Sequence, residues 1–184
     1  MAYGTARTDL PGTRTTGIHG PVPPMPLYTV AGLGAHTGCR IEELCSLRLE
    51  DVSSVSISIK DPKTPAGIRE IPIHKDIRKL VGGLQKASTD GYLISGLTFN
   101  KYGNRSNAVG KRFGRLKKKL DFGPSHVFHS FRNTLARKLE EAGIPENIAA
   151  RIVGHEFSTM TYGLYSGGVS LEVKQKAKNQ IGYS

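Results

Sequence analysis

His129 to Tyr165 reads HSFRNTLARKLEEAGIPENIAARIVGHEFSTMTYGLY, and the fold is decided inside it. His129 and Arg132 stand three apart, so on a helix they share a face, one turn from each other. Gly143 suits the end of that helix, because glycine takes the left-handed cap conformation without steric penalty. Pro145 opens a second helix, where its missing N–H would be unpaired in any case. Ile148, Ile152 and Val153 give this second helix an apolar side. Gly154 ends it and leaves His155 at a helix–loop junction. The pattern delivers two histidines and one arginine to one place, with Tyr162 and Tyr165 shortly after.

These side chains suit a phosphodiester. Arginine and histidine donors bind its non-bridging oxygens and stabilise charge that builds in the transition state. A tyrosine phenol can attack phosphorus and become a covalent phosphotyrosine. A lone His-x-x-Arg is common on helix surfaces and carries little by itself; the ordered set of His-x-x-Arg, Gly-His and tyrosine is much more specific.

Composition bounds the rest. The chain has 184 residues, room for one ordinary domain with a real core. Its formal net charge is +11, which favours a polyanionic partner, nucleic acid before an acidic membrane surface. No run is long and apolar enough for a transmembrane helix, and no secretory leader opens the chain. Cys39 and Cys45 match no usual zinc spacing, and the expectation is two reduced, buried thiols in the cytoplasm. No His/Asp/Glu/Cys group has metal-ligand spacing, so no metal and no cofactor is expected.

Working outward, residues 1–26 are rich in Gly, Pro and Thr and read as a flexible tail. After the turn at Thr37-Gly38, Ile41, Leu44, Cys45 and Arg48 recur at helical spacing. Arg40 starts that helix beside Glu42 and Glu43. Taken alone this is a surface ion pair of little energetic value. The functional alternative is an arginine presented to phosphate and oriented by Glu43. Val55, Ile57 and Ile59 alternate, as do Ile71 and Ile73 within Ile68 to His74, which predicts two antiparallel strands. Lys63 sits at the tip of the loop between them, where a lysine can act as a general acid if neighbouring cations lower its pKa. Asp76 to Lys86 is expected to be helical, and Tyr92-Leu93-Ile94 extended. Ser106 to Leu120 reads as a basic helix with Val109, Phe113, Leu116 and Leu120 as its apolar stripe. Its charges are Lys111, Arg112, Arg115, Lys117, Lys118 and Lys119, all of one sign, which points to DNA phosphates. Ser170 is placed to cap a last helix containing Leu171, Val173 and Ala177.

Together these pieces resemble the tyrosine recombinases, the phage integrase family. Thr37 to Leu44 is similar to its first arginine motif, and Lys63-Thr64 followed by Arg69-Glu70-Ile71-Pro72 to its catalytic-lysine hairpin. His129 to Arg132 resembles its His-x-x-Arg box, Gly154-His155 its third basic motif, and Thr161 to Tyr165 its nucleophile segment. The resemblance implies an α+β, mainly α fold, a helical catalytic domain with a small antiparallel β-sheet over residues 27–169, and a C-terminal tail helix over 170–184. It implies that Tyr165 attacks the scissile phosphate of double-stranded DNA and holds the 3′ end. Arg40, Arg132 and His155 would bind the non-bridging oxygens, with His129 assisting and Glu43 supporting, and Lys63 would protonate the departing 5′ oxygen. No metal or nucleotide is required, and the expected setting is the bacterial cytoplasm or nucleoid.

Two departures are expected. The family's usual DNA-binding domain ahead of the catalytic one is not seen, which suggests a fragment. The helices that normally precede the first arginine motif are expected to be missing or replaced by the proline-rich tail. A tetramer is expected only in a full-length synaptic complex, with the segment from Ser170 onward docking on a neighbour. The competing functions are relaxation of DNA by the same chemistry, as in a type IB topoisomerase, and a non-catalytic DNA-binding relic of an integrase.

Overall fold

The computed structural model describes residues 25–60, 67–154 and 168–183. Helix α1 spans Leu27–Thr37, α2 Ile41–Cys45, α3 Arg78–Ala87, α4 Asn107–Lys119, α5 Ser130–Glu141, α6 Glu146–Val153 and α7 Leu171–Asn179. Strands β1 (Ser56–Ile59) and β2 (Arg69–Pro72) form one antiparallel pair, Ile57 opposite Ile71 and Ile59 opposite Arg69. The expected helix-rich fold with a small antiparallel sheet is thus present.

Helix α1 corrects the expectation that nothing helical precedes the Arg40 motif. Its sequence LYTVAGLGAHT buries one face, formed by Thr29, Val30, Leu33, Gly34 and Thr37, but its other face carries Tyr28, Ala31, Gly32 and Ala35 and no charged residue. Without a charged opposite face the helix shows no amphipathic stripe. It packs chiefly on α5. Gly34 permits that approach: a Cβ there would sit 2.8 Å from the Phe128 ring. Gly38 ends α1 at φ 65°, the left-handed conformation that favours glycine.

The breaks read from the second motif region hold. Gly143 has φ 69°, Pro145 precedes α6, and Gly154 closes α6 at φ 77°. Ser170 caps α7 through its side chain, which accepts from the Val173 N–H at 3.3 Å. The core has two parts. One joins α1, α2, the sheet and α3 through Leu33, Leu44, Ile57, Ile71 and Val81. The other joins α5, α6 and α7 through Leu135, Leu139, Ile152, Val153 and Ala177. Both cysteines are buried free thiols.

Three other expectations change. Val55 does not share the inward face of Ile57 and Ile59; it precedes β1 and is 48% exposed. In α4 only Val109 is buried, whereas Leu116 and Leu120 are exposed, so the apolar stripe is covered only in the first half. Arg48 is exposed rather than part of an apolar side; its guanidinium lies over the Tyr92 ring.

The C-terminal segment, expected to dock on a neighbour, packs on its own chain. Lys174 Nζ donates to Glu70 O at 2.8 Å and Lys178 Nζ to Pro72 O at 2.6 Å. These lysines satisfy carbonyls on the edge of β2 that β1 leaves open. Further on, Tyr183 Oη donates to Ala35 O at 2.5 Å.

Candidate active site

Arg40 precedes α2 in extended conformation, with its own N–H and its guanidinium both turned to Glu43. Arg40 N–H donates to Glu43 Oε2 at 2.9 Å and Nη1 to Oε1 at 2.8 Å. The same carboxylate meets a second arginine, since Arg69 Nη2 donates to Oε2 at 2.8 Å. Arg69 comes from the core-facing side of β2 and is almost fully buried, so this is a paired internal charge. Arginine donors hold the Glu43 carboxyl below the usual carboxylate range, against the upward pull of its burial.

Glu42, one residue earlier, does something different. Its two oxygens accept the backbone N–H groups of Arg105 and Ser106, both at 2.9 Å, just ahead of α4. Arg105 then fills the space behind, donating to Cys45 O and Ile94 O and stacking on Tyr92 at 3.5 Å. Two adjacent glutamates therefore join α2 to the sheet and to the basic helix.

Arg132, on the first turn of α5, is 1% exposed. Its Nη1 donates to Gly38 O and its Nη2 to Gly154 O, both at 2.9 Å. Gly38 lies two residues before Arg40, and Gly154 immediately precedes His155. One guanidinium therefore holds the backbones leading to the first and third basic motifs. Burial, with Arg69 and Arg40 close by, pushes the Arg132 pKa down to about 10. Three arginines share this region with Glu43, which bonds Arg40 and Arg69, leaving an excess of positive charge suited to an anion. The two hydrogen bonds of Arg132 described above both go to backbone carbonyls.

His129 lies just before α5 and is exposed. Burial of part of its ring and the nearby Arg132 and Arg40 charges push its pKa below the usual histidine value, favouring the neutral imidazole at neutral pH. A cleft of about 720 Å³ runs between α2, β1 and the start of α5, with Arg40, Glu43 and His129 in its wall. Arg48 and Lys60, neither of which the sequence assigned to the site, line it too. Lys60 pairs with Asp51 at 2.5 Å. Lys63, His155 and Tyr165 lie outside the described residues.

None of the basic residues of α4 lines this cleft. Lys111, Arg115, Lys118 and Lys119 are exposed and Arg112 is half-buried. Lys117, expected to contact phosphate, has its Nζ donating to the carbonyls of Gly123, Pro124 and His126, which closes the loop after α4.

The profile of the phage integrase family matches residues 22–167, which contain all six residues of the expected catalytic set. The chain belongs to the phage integrase family. The match begins ahead of the boundary expected at Leu27. Solved structures of phage integrase relatives share the fold. Tn1549 transposon integrase, in complex with circular intermediate DNA, aligns at 26% identity with a TM-score of 0.57, over 77% of this chain and 56% of that one. The integrase of mycobacterium phage Brujita aligns at 14% identity with a TM-score of 0.63, over 85% and 51%. The lambda integrase catalytic core aligns at 22% identity with a TM-score of 0.53, over 73% and 82%. The chain thus spans just over half of the Tn1549 and Brujita chains. No curated protein sequence matches it.

Sequence spacing missed Arg69, although the parity of β2 carries the signal. Ile71 and Ile73 face the core, so Arg69, two residues earlier, faces it as well. Spacing also missed a group assembled only by folding: ligand atoms of His36, His74 and Asp76 lie within 4.8 Å of one another, away from the cleft.

Proposed function

We propose that this chain is the catalytic part of a site-specific DNA recombinase that cuts and rejoins duplex DNA through a 3′-phosphotyrosine intermediate. The observation that carries the reading is Arg132, whose paired bonds to Gly38 O and Gly154 O gather the first and third basic motifs around the second. The Tyr165 oxygen, releasing its phenolic proton to solvent, attacks the scissile phosphorus, a P–O bond to tyrosine forms, and the bond to the 5′ oxygen breaks. Lys63 gives its proton to that leaving oxygen. Arg40, Arg132 and His155 offset the charge on the non-bridging oxygens, with His129 assisting. Glu43 keeps Arg40 in place. Attack by a free 5′ hydroxyl reverses the step, so joining needs no outside energy. Arginines fill the role that a metal ion has in other phosphoryl transfers.

The test is a nicked duplex whose short 5′ fragment diffuses away after cleavage and traps the covalent protein–DNA adduct. Wild-type protein should form an adduct in the presence of EDTA. Tyr165→Phe should form none, and Tyr162→Phe should still react. Adduct in Tyr165→Phe removes that tyrosine as the nucleophile. Binding without any adduct in the wild type favours the non-catalytic relic.

A further inference from the structure

The ring of His36 is anchored on one side and bare on the other. Its Nδ1 lies 2.9 Å from Gly32 O, which requires Nδ1 to carry the proton. Its Nε2 is then a lone-pair acceptor, and that atom is buried with no hydrogen-bond partner. Buried nitrogens are rarely left this way. His74 is the mirror case. Its Nε2 lies 3.1 Å from Ile181 O and so carries the proton, which leaves Nδ1 as the lone pair. That lone pair has one long contact, 3.2 Å, from the Asp76 N–H. The Asp76 carboxylate oxygen is 3.4 Å from the same Nδ1.

One ring nitrogen from each histidine and one carboxylate oxygen lie within 4.8 Å of one another. His36 Nε2 makes no hydrogen bond to either of the others, so they do not satisfy it directly. A tetrahedral ion with bonds of about 2.0 Å has donor-to-donor edges of about 3.3 Å, close to the His74–Asp76 separation. Each histidine also gives its other N–H to a backbone carbonyl, the usual arrangement that fixes tautomer and ring orientation in metal ligands.

We infer that His36, His74 and Asp76 bind one divalent transition-metal ion of the zinc type. Two nitrogens and one carboxylate disfavour magnesium and calcium, which take oxygen ligands. Asp76 is half exposed, so water completes the coordination from the solvent side. Binding requires His74 Nδ1 to release its weak contact with the Asp76 N–H. The ion joins α1 to the turn after β2. It also locks the C-terminal segment, because Ile181 O orients His74 and the Tyr183 ring packs on His36 with centroids 4.7 Å apart. None of the three ligands lines the cleft, so the ion takes no part in strand cleavage.

Titration of metal-free protein with Co²⁺ and then Zn²⁺ tests this. The expected result is one equivalent per chain, the visible absorption of tetrahedral Co²⁺ without a thiolate band, displacement by Zn²⁺, and a higher melting temperature. His36→Gln changes a half-buried side chain and Asp76→Asn an exposed one, and each should weaken binding by about tenfold or more. Far-UV circular dichroism verifies that both remain folded. Failure of the wild type to take up one equivalent overturns the inference. So does unchanged affinity in His36→Gln, or a thiolate band that assigns the ion to Cys39 or Cys45.

Discussion

Glu43 and Arg69 form a buried ion pair, 2.8 Å between Oε2 and Nη2, whose carboxylate also orients Arg40. The pair links β2 to the residue proposed to bind phosphate. Removing the acid leaves Arg69 charged inside the fold beside Arg132, and breaking a buried pair of this kind costs about 3–5 kcal/mol. Glu43→Gln should lose that much in urea denaturation and should lower adduct yield more than DNA affinity. Glu43→Leu combined with Arg69→Met should recover most of the stability, since it removes both charges. A loss below about 1 kcal/mol for Glu43→Gln would mean that Arg69 finds other compensation.

Gly154 is a second point where packing and chemistry meet. It has φ 77°, and a Cβ there would lie 2.8–2.9 Å from Arg69 Cδ, Nε and Nη1. Gly103 is the control, with φ 75° and nothing near a Cβ. Gly103→Ala should cost roughly 1–2 kcal/mol for the left-handed conformation alone. Gly154→Ala should cost more, and should lower adduct formation through the displaced Arg69 and the Gly154 carbonyl held by Arg132. Equal losses in thermal or urea melts would show that Arg69 yields freely.

The two cases also indicate what was legible in the sequence. The ends of α5 and α6 were readable because Gly143, Pro145 and Gly154 act through local backbone preference. Arg40 and His129 were readable because their motifs are short. Helix α1 was not, because the side facing away from the core carries small and apolar residues in place of charges. Glu42 and Glu43 look alike in sequence, and their separate roles come from partners 63 and 26 residues away. The exposure of Leu116 and Leu120 follows from where α4 outruns the core, which periodicity does not encode. The pairing of His36 with His74 likewise arises only when α1 packs beside the turn after β2.

The basic helix α4 is expected to contact phosphates without reading sequence. Arg115→Ala should weaken duplex binding and reduce the slope of log affinity against log salt by about 1. Lys117→Ala should leave that slope nearly unchanged and lower the melting temperature, because its ammonium closes the loop at Gly123, Pro124 and His126. Gel shifts across a salt series, with melts of both variants, separate the two roles. A slope change in Lys117→Ala as large as that in Arg115→Ala would return this lysine to the DNA-contacting set.

Lys178 gives the fold a pH dependence of definite sign. It is fully buried against Pro72 O, and burial pushes its pKa down to about 7. In the unfolded chain a lysine titrates near 10.4, so between these values the unfolded state holds a proton that the folded state has released. Stability therefore rises with pH across this window. Below it, Lys178 is charged in both states and the full cost of burying the ammonium is present. Above it, the side chain is neutral in both and that cost is gone. Lys178→Met keeps the apolar stem without the charge. The Pro72 carbonyl it leaves unpaired adds a loss that does not vary with pH. Burial raises the pKa of Cys45 and Tyr183, which lowers stability at higher pH in both proteins; it raises Cys39 as well, where the nearby Lys178 charge opposes the shift in the wild type alone. Urea melts of the two from about pH 6 to about pH 9 should show the wild type gaining on the variant as pH rises. A difference that stays flat over that range would mean that Lys178 keeps its proton in the fold and that its burial carries no titration.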